Sequence, residues 1–282
     1  MVRRTIAEIK SSCCTTWEHP AARVMLGDHL HPGGRELTEA AIEATGAAAG
    51  DVVLDVGCGH GASLRLMHEN GIRAVGLDLS EGALRGASDF GPVVAGDGER
   101  IPLSTARIDG AVLECVLSLF IDKAQALREL KRVLKPGGRL AVSDVVVEDS
   151  LPPLLDSAAA WSCCLGGALS KRGYVDLIAS AGFEVIHVRD HSGALTATIE
   201  QVRRRLSLFE MSAVVGQVRL DDLGLSSEVL ERARNIAAVL IGLVRQGALS
   251  YVLITAQNPR GSTPSVAAAG AESLLAEHAS TQ

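Results

Sequence analysis

The segment that most constrains this chain is residues 52–63, where a short apolar run meets a cluster of glycines and the start of a helical pattern. Val52 to Val56 are apolar except for Asp55, which predicts a buried strand. The run is then interrupted by Gly57, Gly59 and Gly61. Glycine lets the backbone approach a ligand closely, and the unpaired N–H groups at the start of the helix point towards it. The segment therefore predicts a strand–turn–helix cradle for a ligand.

Asp55, which precedes the first glycine by two residues, distinguishes between two classes of ligand that bind at such a turn. The glycine spacing also satisfies the loose dinucleotide fingerprint. A carboxylate at the strand tip would repel a pyrophosphate, whereas it suits a cationic amino-acid ligand. Residues 55–61, Asp-Val-Gly-Cys-Gly-His-Gly, resemble the first motif of the class I S-adenosylmethionine (SAM) methyltransferases at every fixed position. The resemblance implies SAM as the cofactor, in preference to a nicotinamide.

Later motifs extend this resemblance in the order that the family has them. A second predicted strand ends in Asp78, an acid that can accept two hydrogen bonds from a ribose diol. Residues 96–102 read Gly-Asp-Gly-Glu-Arg-Ile-Pro, and in the family an acid at the position of Asp97 contacts the adenine amino group. Residues 134–138, Leu-Lys-Pro-Gly-Gly, precede a predicted fifth strand at 141–146. Together the resemblances imply a cofactor site made by Asp55, Gly57, Cys58, Gly59, Gly61, Asp78, Leu79, Gly96, Asp97, Gly98 and Glu114.

The order of the predicted elements indicates the fold and its divisions. Strands alternate with helices through residues 49–191, and the resemblance implies an α/β, Rossmann-like class I methyltransferase core, with helices on both faces of a mostly parallel seven-stranded sheet. The last, reversed strand is expected within residues 249–258. Before it, residues 192–248 predict a helical insertion that serves as a lid or as a homodimer interface. We expect residues 1–48 to form a cap over the cofactor pocket. We expect residues 259–282 to form a disordered tail.

Composition and charge limit the partners. The chain has 282 residues, of which 47% are hydrophobic and 21% charged, as is ordinary for an α/β enzyme. A net charge of −6 argues against nucleic-acid binding, which needs a basic face. No apolar run approaches the roughly 20 residues that span a bilayer, and no apolar segment of the signal-peptide kind follows the basic start. We therefore expect a cytoplasmic protein that binds neither nucleic acid nor membrane.

The cysteines suggest one class of methyl acceptor. Two adjacent pairs, Cys13–Cys14 and Cys163–Cys164, make a poor disulfide framework, so thiols are expected. Residues 114–146 and the motif Cys164-x-Gly-Gly-Ala-Leu resemble the arsenite methyltransferase branch. In that branch, cysteine thiolates hold the trivalent arsenic. The resemblance therefore implies that the two cysteine pairs of this chain are substrate ligands, with a metalloid site at Cys13, Cys14 and Cys164. The branch also carries a cysteine just before the first strand, which this chain lacks.

Two other functions remain open at this point. The acceptor could be an organic small molecule, such as a quinone or a natural-product scaffold, methylated on carbon, oxygen or nitrogen. An oxygen or nitrogen nucleophile usually needs a general base, for which the candidates are His19, His29 and Glu114. The chain could instead bind SAM as a regulator without turnover. His29 and His31 could share a metal ion, but the sequence offers them no third ligand at suitable spacing, so no resident metal is predicted.

Overall fold

The computed structural model describes residues 20–152, 164–214 and 226–260, together with residues 10, 15, 17, 18 and 155. Within this part of the chain the strands are β1 Val52–Val56, β2 Arg73–Asp78, β3 Val93–Ala95, β4 Ile108–Glu114, β5 Leu134–Val147, β6 Glu184–Asp190 and β7 Leu249–Gln257. The helices are α1 Pro20–Leu26, α2 Gly34–Ala44, α3 Ala62–Glu69, α4 Glu81–Ala87, α5 Lys123–Val133, α6 Lys171–Ser180, α7 Ser192–Val214 and α8 Ser227–Arg245, with a 3-10 turn at Leu117–Leu119.

The described strands form one seven-stranded sheet in the order β3-β2-β1-β4-β5-β7-β6. β1 pairs in parallel with β2 on one side and with β4 on the other, and β7 runs antiparallel to both of its neighbours. The chain leaves β1 towards β2 and β3 and returns to the other side of β1 with β4. The loops after β1 and β4 therefore diverge, which opens a crevice of the kind in which α/β sheets bind ligands. The mostly parallel sheet with a reversed last strand is the one that the sequence predicts.

The core lies on both faces of the sheet, which explains why the central strands read as continuous apolar runs. Val53 and Leu54 are consecutive residues of β1, so they point to opposite faces, and both are fully buried. They belong to two different apolar clusters, one on each side of the sheet. α5 begins where Asp122 accepts a hydrogen bond from the Gln125 N–H. The residues that α5 buries in the second cluster are Ala126, Leu127, Leu130 and Val133.

Two helices connect β6 to the reversed strand β7. α7 and α8 pack against each other, and Arg234 of α8 pairs with Glu210 of α7 at 2.7 Å. α7 also reaches the N-terminal segment, because Arg205 Nη1 donates hydrogen bonds to the carbonyls of Val24 (2.9 Å) and Met25 (2.8 Å) at the end of α1. α7 therefore lies against α1. Their service as a lid or as a dimer surface stays a prediction.

Some boundaries differ from those expected. β5 begins at Leu134, so the Leu-Lys-Pro-Gly-Gly segment belongs to the strand, and its pairing with β4 shifts register between Ile108 and Gly110. This irregular pairing needs glycine at position 138, because a Cβ there would lie only 2.8 Å from the Asp109 carbonyl oxygen and would clash with it. The predicted tail lies, beyond Arg260, outside the described residues. Each helix that the structure describes is too short or too polar to cross a membrane.

Candidate active site

A pocket opens where the carboxyl ends of β1 to β4 meet the N-terminal segment. The predicted cofactor residues that line it are Asp55, Gly57, Cys58, Gly59, Asp78, Leu79, Gly96, Gly98 and Glu114. Gly61 and Asp97 lie outside this lining. The residues that the N-terminal segment contributes include Lys10, Trp17, Glu18, His29 and His31. The pocket therefore joins the predicted cofactor site to the segment that was predicted to cap it.

The three glycines shape the turn after β1 in different ways. Gly57, Gly59 and Gly61 have left-handed backbones, with φ of 76°, 51° and 82°. A Cβ on Gly57 would lie 2.4 Å from a Val116 methyl group, whereas a Cβ on Gly59 would meet nothing within 4 Å. A Cβ on Gly61 would lie 2.7 Å from Ala87 Cα. Gly61 therefore lets α3 pack closely against α4, and its role in binding the cofactor stays a prediction.

Asp55 is a buried carboxylate at the tip of β1. It is 2% exposed, and no donor among the described residues makes a hydrogen bond to its Oδ2. Burial raises the pKa of Asp55 well above its ordinary value, and the negative charges of Glu114 and Asp78 raise it further. A buried group of carboxylates favours a positively charged ligand. Because SAM carries positive charge on its ammonium and sulfonium groups, these residues fit that cofactor.

Asp78 is held in position at the end of β2 by backbone N–H groups. Its Oδ2 accepts a hydrogen bond from the Gly59 N–H (2.8 Å), and its Oδ1 accepts one from the Ser80 N–H (2.8 Å). Each carboxylate oxygen can accept a second hydrogen bond. The side chain is therefore fixed in place and retains the capacity to bind a ribose diol.

Asp97 has partners other than the predicted one. Its Oδ2 lies 2.5 Å from Lys10 Nζ, which is also 3.0 Å from Glu99 Oε2. Burial lowers the pKa of Lys10, but the hydrogen bonds and charges of the two carboxylates outweigh burial, so the pKa is raised overall. Nearby, the Ser80 hydroxyl donates a hydrogen bond to Glu18. These contacts hold the N-terminal segment over the loops after β2 and β3, and Asp97 pairs with that segment.

A polar network that the sequence did not reveal surrounds the end of β4. Glu114 Oε2 accepts hydrogen bonds from the hydroxyls of Ser63 (3.0 Å) and Thr38 (3.2 Å), and its Oε1 lies 3.3 Å from His31 Nε2. Thr38 Oγ1 lies 3.0 Å from both His29 Nδ1 and His31 Nε2. The N-terminal segment, α2, α3 and β4 therefore converge on one carboxylate. No motif marks Thr38 or Ser63, since each is a single hydroxyl within an amphipathic helix.

The tautomer of His29 depends on where Thr38 sends its single hydroxyl proton. Besides the two imidazoles, Thr38 Oγ1 contacts Glu114 and the Gly34 carbonyl (3.3 Å). When the hydroxyl donates to either of these two acceptors, His29 Nδ1 is the donor to Thr38, and Nε2 carries the lone pair. The described residues place no hydrogen-bond partner on His29 Nε2. Burial lowers the pKa of His29, followed by the charge of His31, which favours the neutral imidazole.

Cys164 is the one predicted substrate thiolate within the described residues, because Cys13, Cys14 and Cys163 lie outside them, as does His19. Cys164 is 0% exposed, and its thiol donates a hydrogen bond to the Cys115 carbonyl (2.9 Å). Hydrogen bonding with Cys115 and burial raise the pKa of the Cys164 thiol well above its ordinary value. Cys164 is therefore a protonated thiol behind the pocket wall, whereas the arsenite hypothesis needs an accessible thiolate.

Comparison with known proteins agrees with this geometry. A methyltransferase domain family matches residues 54–142. The methyltransferase GfsG of Streptomyces halstedii is 29% identical over 246 residues, which cover 82% of this chain and 83% of that protein. A demethylmenaquinone methyltransferase of Thermobifida fusca is 32% identical over 188 residues, which cover 62% of this chain and 78% of that protein.

A solved structure gives the same result for the fold. Phosphoethanolamine N-methyltransferase 2 of Haemonchus contortus, in complex with phosphomonomethylethanolamine and S-adenosylhomocysteine, superimposes with a TM-score of 0.75 at 16% identity. The match covers 91% of this chain and 62% of that one. The chain belongs to the SAM-dependent methyltransferases, and SAM is its cofactor.

Proposed function

We propose that this enzyme transfers the SAM methyl group to a hydroxyl oxygen of a small organic acceptor, with His29 as the general base. The observation that carries the proposal is the neutral His29 imidazole, which lines the same pocket as the glycine turn and has Nε2 open. A hydroxyl is a weak nucleophile until a base removes its proton, and a histidine within reach is the most common such base.

The cofactor would be held by residues on the glycine-turn side of the pocket. Asp55 and Glu114 carry the negative charge that suits its ammonium group, and Asp78 has the spare acceptor capacity for its ribose diol. When bound, SAM supplies an activated methyl group. Because the pocket also includes apolar residues such as Leu119 and Phe120, it would limit the water around the reacting centre.

His29 would act through its hydrogen bonds. Nε2 takes the acceptor's proton as the oxygen forms its bond to the methyl carbon, and the methyl–sulfur bond breaks with its electron pair left on sulfur. The Nδ1–H···Thr38 bond orients the ring, and Thr38 connects it to the Glu114 carboxylate. That carboxylate favours the positive charge that His29 acquires. The lowered pKa keeps His29 in its basic form to pH values below its ordinary pKa of 6.5.

The names of the relatives also support an organic acceptor. The demethylmenaquinone methyltransferase is named for a quinone substrate. Methylation of trivalent arsenic rests on the Cys164-x-Gly-Gly-Ala-Leu motif, which the comparisons do not favour, and Cys164 is fully buried. The arsenite hypothesis stays a prediction that the same assay examines.

The test is an assay of S-adenosylhomocysteine formation against a panel of phenols, quinols and arsenite, with wild type and with His29→Gln. We expect turnover with a hydroxyl acceptor and a kcat about 100-fold lower in His29→Gln, with SAM affinity unchanged. The matched control is His68→Gln, because His68 is exposed on α3 outside the pocket lining and its loss should leave kcat unchanged.

Each other outcome contradicts a specific part of the proposal. Full activity of His29→Gln would exclude His29 as the base. Turnover with arsenite alone would replace the organic acceptor by the metalloid. Tight SAM binding without turnover on any acceptor would favour a regulator.

A further inference from the structure

Cys115, Asp144 and Cys164 form a cluster of soft and anionic ligand groups beside the pocket. Cys115 follows β4, Asp144 belongs to β5, and Cys164 lies in the segment between β5 and α6. One ligand atom from each, two sulfurs and a carboxylate oxygen, lie within 4.8 Å of one another. The proposed methyl transfer uses none of these atoms. We call this group the Cys115–Asp144–Cys164 cluster.

The cluster is buried and lies beside another buried polar side chain. Asp144 is 1% exposed and Cys164 0% exposed. Tyr174 is also fully buried, and the group nearest to partnering its hydroxyl is the Leu169 backbone. Burial raises the pKa of Tyr174, and so do the nearby Asp144, Cys115 and Cys164, in keeping with a position beside the cluster. A buried phenol, two thiols and a carboxylate therefore form a polar group within the apolar core.

The backbone at the two cysteines is strained. Cys115 has a φ of 58° and Cys164 a φ of 65°, both in the left-handed region that disfavours residues with a Cβ. Among the described non-glycine residues, Ala106 is the one other residue with a positive φ. Such conformations persist where the surrounding structure holds them, and they concentrate at functional sites. Here the two strained residues are the two that bring their thiols together.

We propose that the Cys115–Asp144–Cys164 cluster binds one soft divalent metal ion of the zinc and cadmium type. Two thiolates and one carboxylate are a ligand set that such ions prefer, and they bind it with tetrahedral geometry at about 2.3 Å from sulfur. Binding displaces the two thiol protons to solvent, including the proton that Cys164 shares with the Cys115 carbonyl, and forms two metal–sulfur bonds.

The pocket provides a route to this site. Cys115 is part of the pocket lining, whereas Asp144 and Cys164 lie behind it. A hydrated ion can therefore reach the first sulfur from the pocket and complete its coordination behind the wall. The ion would be resident and would link β4, β5 and the segment after β5. The proposal does not depend on the identity of the methyl acceptor.

The test is a titration of the reduced full chain with Cd²⁺, following the ultraviolet charge-transfer absorption of cadmium–sulfur bonds. Cys13 and Cys14 are first replaced by serine, so that a second thiol pair does not contribute. We expect one Cd²⁺ per chain, displaced by Zn²⁺, and about tenfold or more loss of affinity in Cys164→Ser and in Cys115→Ser. Asp144→Asn should weaken binding while the absorption band remains.

Two matched controls use cysteines outside the cluster. Cys163→Ser changes the neighbour of Cys164, and Cys58→Ser changes a buried cysteine of the glycine turn. Both should keep the band and its stoichiometry. Loss of the band in Cys163→Ser but not in Cys115→Ser would overturn the proposed ligand set, and absence of any band in the starting chain would overturn the site.

Folding and function are monitored separately. Circular dichroism and a cooperative thermal melt show whether each variant has folded, and a Zn²⁺-dependent rise in the melting temperature of the starting chain reports the site without any ligand substitution. His29→Gln should bind Cd²⁺ like the starting chain. Failure of methyl transfer and failure of metal binding are thus distinguished.

Discussion

The two sides of the pocket are built in opposite ways. The cofactor side comes from one continuous segment, in which β1, the glycine turn and α3 follow one another within residues 52–69. The proposed acceptor side is assembled from His29 and Thr38, which hydrogen bonds connect to Glu114, a carboxylate that lies 76 residues after Thr38 and is shared by the two sides. A local arrangement is encoded by a short motif, whereas a dispersed one is encoded by the whole fold. The first can therefore be recognised in a sequence and the second cannot.

Gly57→Ala is expected to damage the cofactor side most severely. The new Cβ would lie 2.4 Å from a Val116 methyl group on a left-handed backbone, so the turn must move. We expect SAM affinity to fall about 100-fold, equivalent to about 2.7 kcal/mol, measured by calorimetry. Gly247→Ala is the control, because Gly247 is also left-handed (φ 74°) but its Cβ would meet nothing within 4 Å. It should lower the free energy of unfolding by about 1–2 kcal/mol and leave SAM binding unchanged.

Asp55→Asn tests whether the cofactor side recognises charge. The variant lacks the buried carboxylate that lines the cofactor pocket, so we expect SAM affinity to fall about 10- to 50-fold, equivalent to about 1.4–2.3 kcal/mol, the size of a hydrogen bond to a charged group. The unliganded chain should become more stable, because Asp55 is buried without a full set of partners. An affinity equal to that of wild type would show that backbone groups alone bind the amino-acid part.

Changing the pH tests the charge of Asp55 in the wild-type chain, without a substitution. Its folded pKa is raised well above the ordinary 3.8, so its contribution to stability is fully present below 3.8 and is lost as pH rises through the raised value. SAM affinity should move the other way and weaken as pH falls through that raised pKa, because a neutral Asp55 no longer attracts a cation. Both dependences should be reduced in Asp55→Asn, as measured by thermal melts and calorimetry over the whole pH range in which the chain stays folded.

Thr38→Val is expected to affect the acceptor side alone, and by the smallest amount. Valine keeps the shape but removes the hydroxyl that orients His29 and joins it to Glu114. We expect kcat to fall about tenfold while the dissociation constant of SAM stays the same. Thr45→Val is the matched control in the same segment, because the Thr45 hydroxyl donates to the Ile42 carbonyl (2.6 Å) outside the pocket lining. It should cost stability without changing kcat, and equal losses of kcat in both variants would indicate a general packing effect.

The contrast between a local motif and dispersed residues explains which parts of the fold and of the site the sequence could predict. The mostly parallel sheet and the reversed β7 follow from the family resemblance that residues 55–61 and the later motifs carry, and most of the predicted cofactor residues line the pocket. The contacts that Gly61 and Asp97 make with distant residues do not follow from those motifs. The left-handed Gly61 satisfies a helix contact with Ala87, and Asp97 meets Lys10, which is 87 residues away in the chain.

The thiols show the same limit of sequence reasoning. The motif around Cys164 indicated a reactive thiolate, but its reactivity depends on burial and neighbours, which a motif does not specify. Cys164 meets Cys115, 49 residues earlier in the chain, and Asp144 of a third segment. Adjacency in sequence suggested that Cys163 and Cys164 act together, whereas the fold brings Cys164 to Cys115.

The bonds from Arg205 to the end of α1 have a consequence for the position of His29. α1 leads directly to His29, and Arg205 attaches that helix end to α7. A displacement of α7 would therefore be transmitted through Arg205 to the end of α1, and from there to the proposed base, although no residue of α7 lines the pocket.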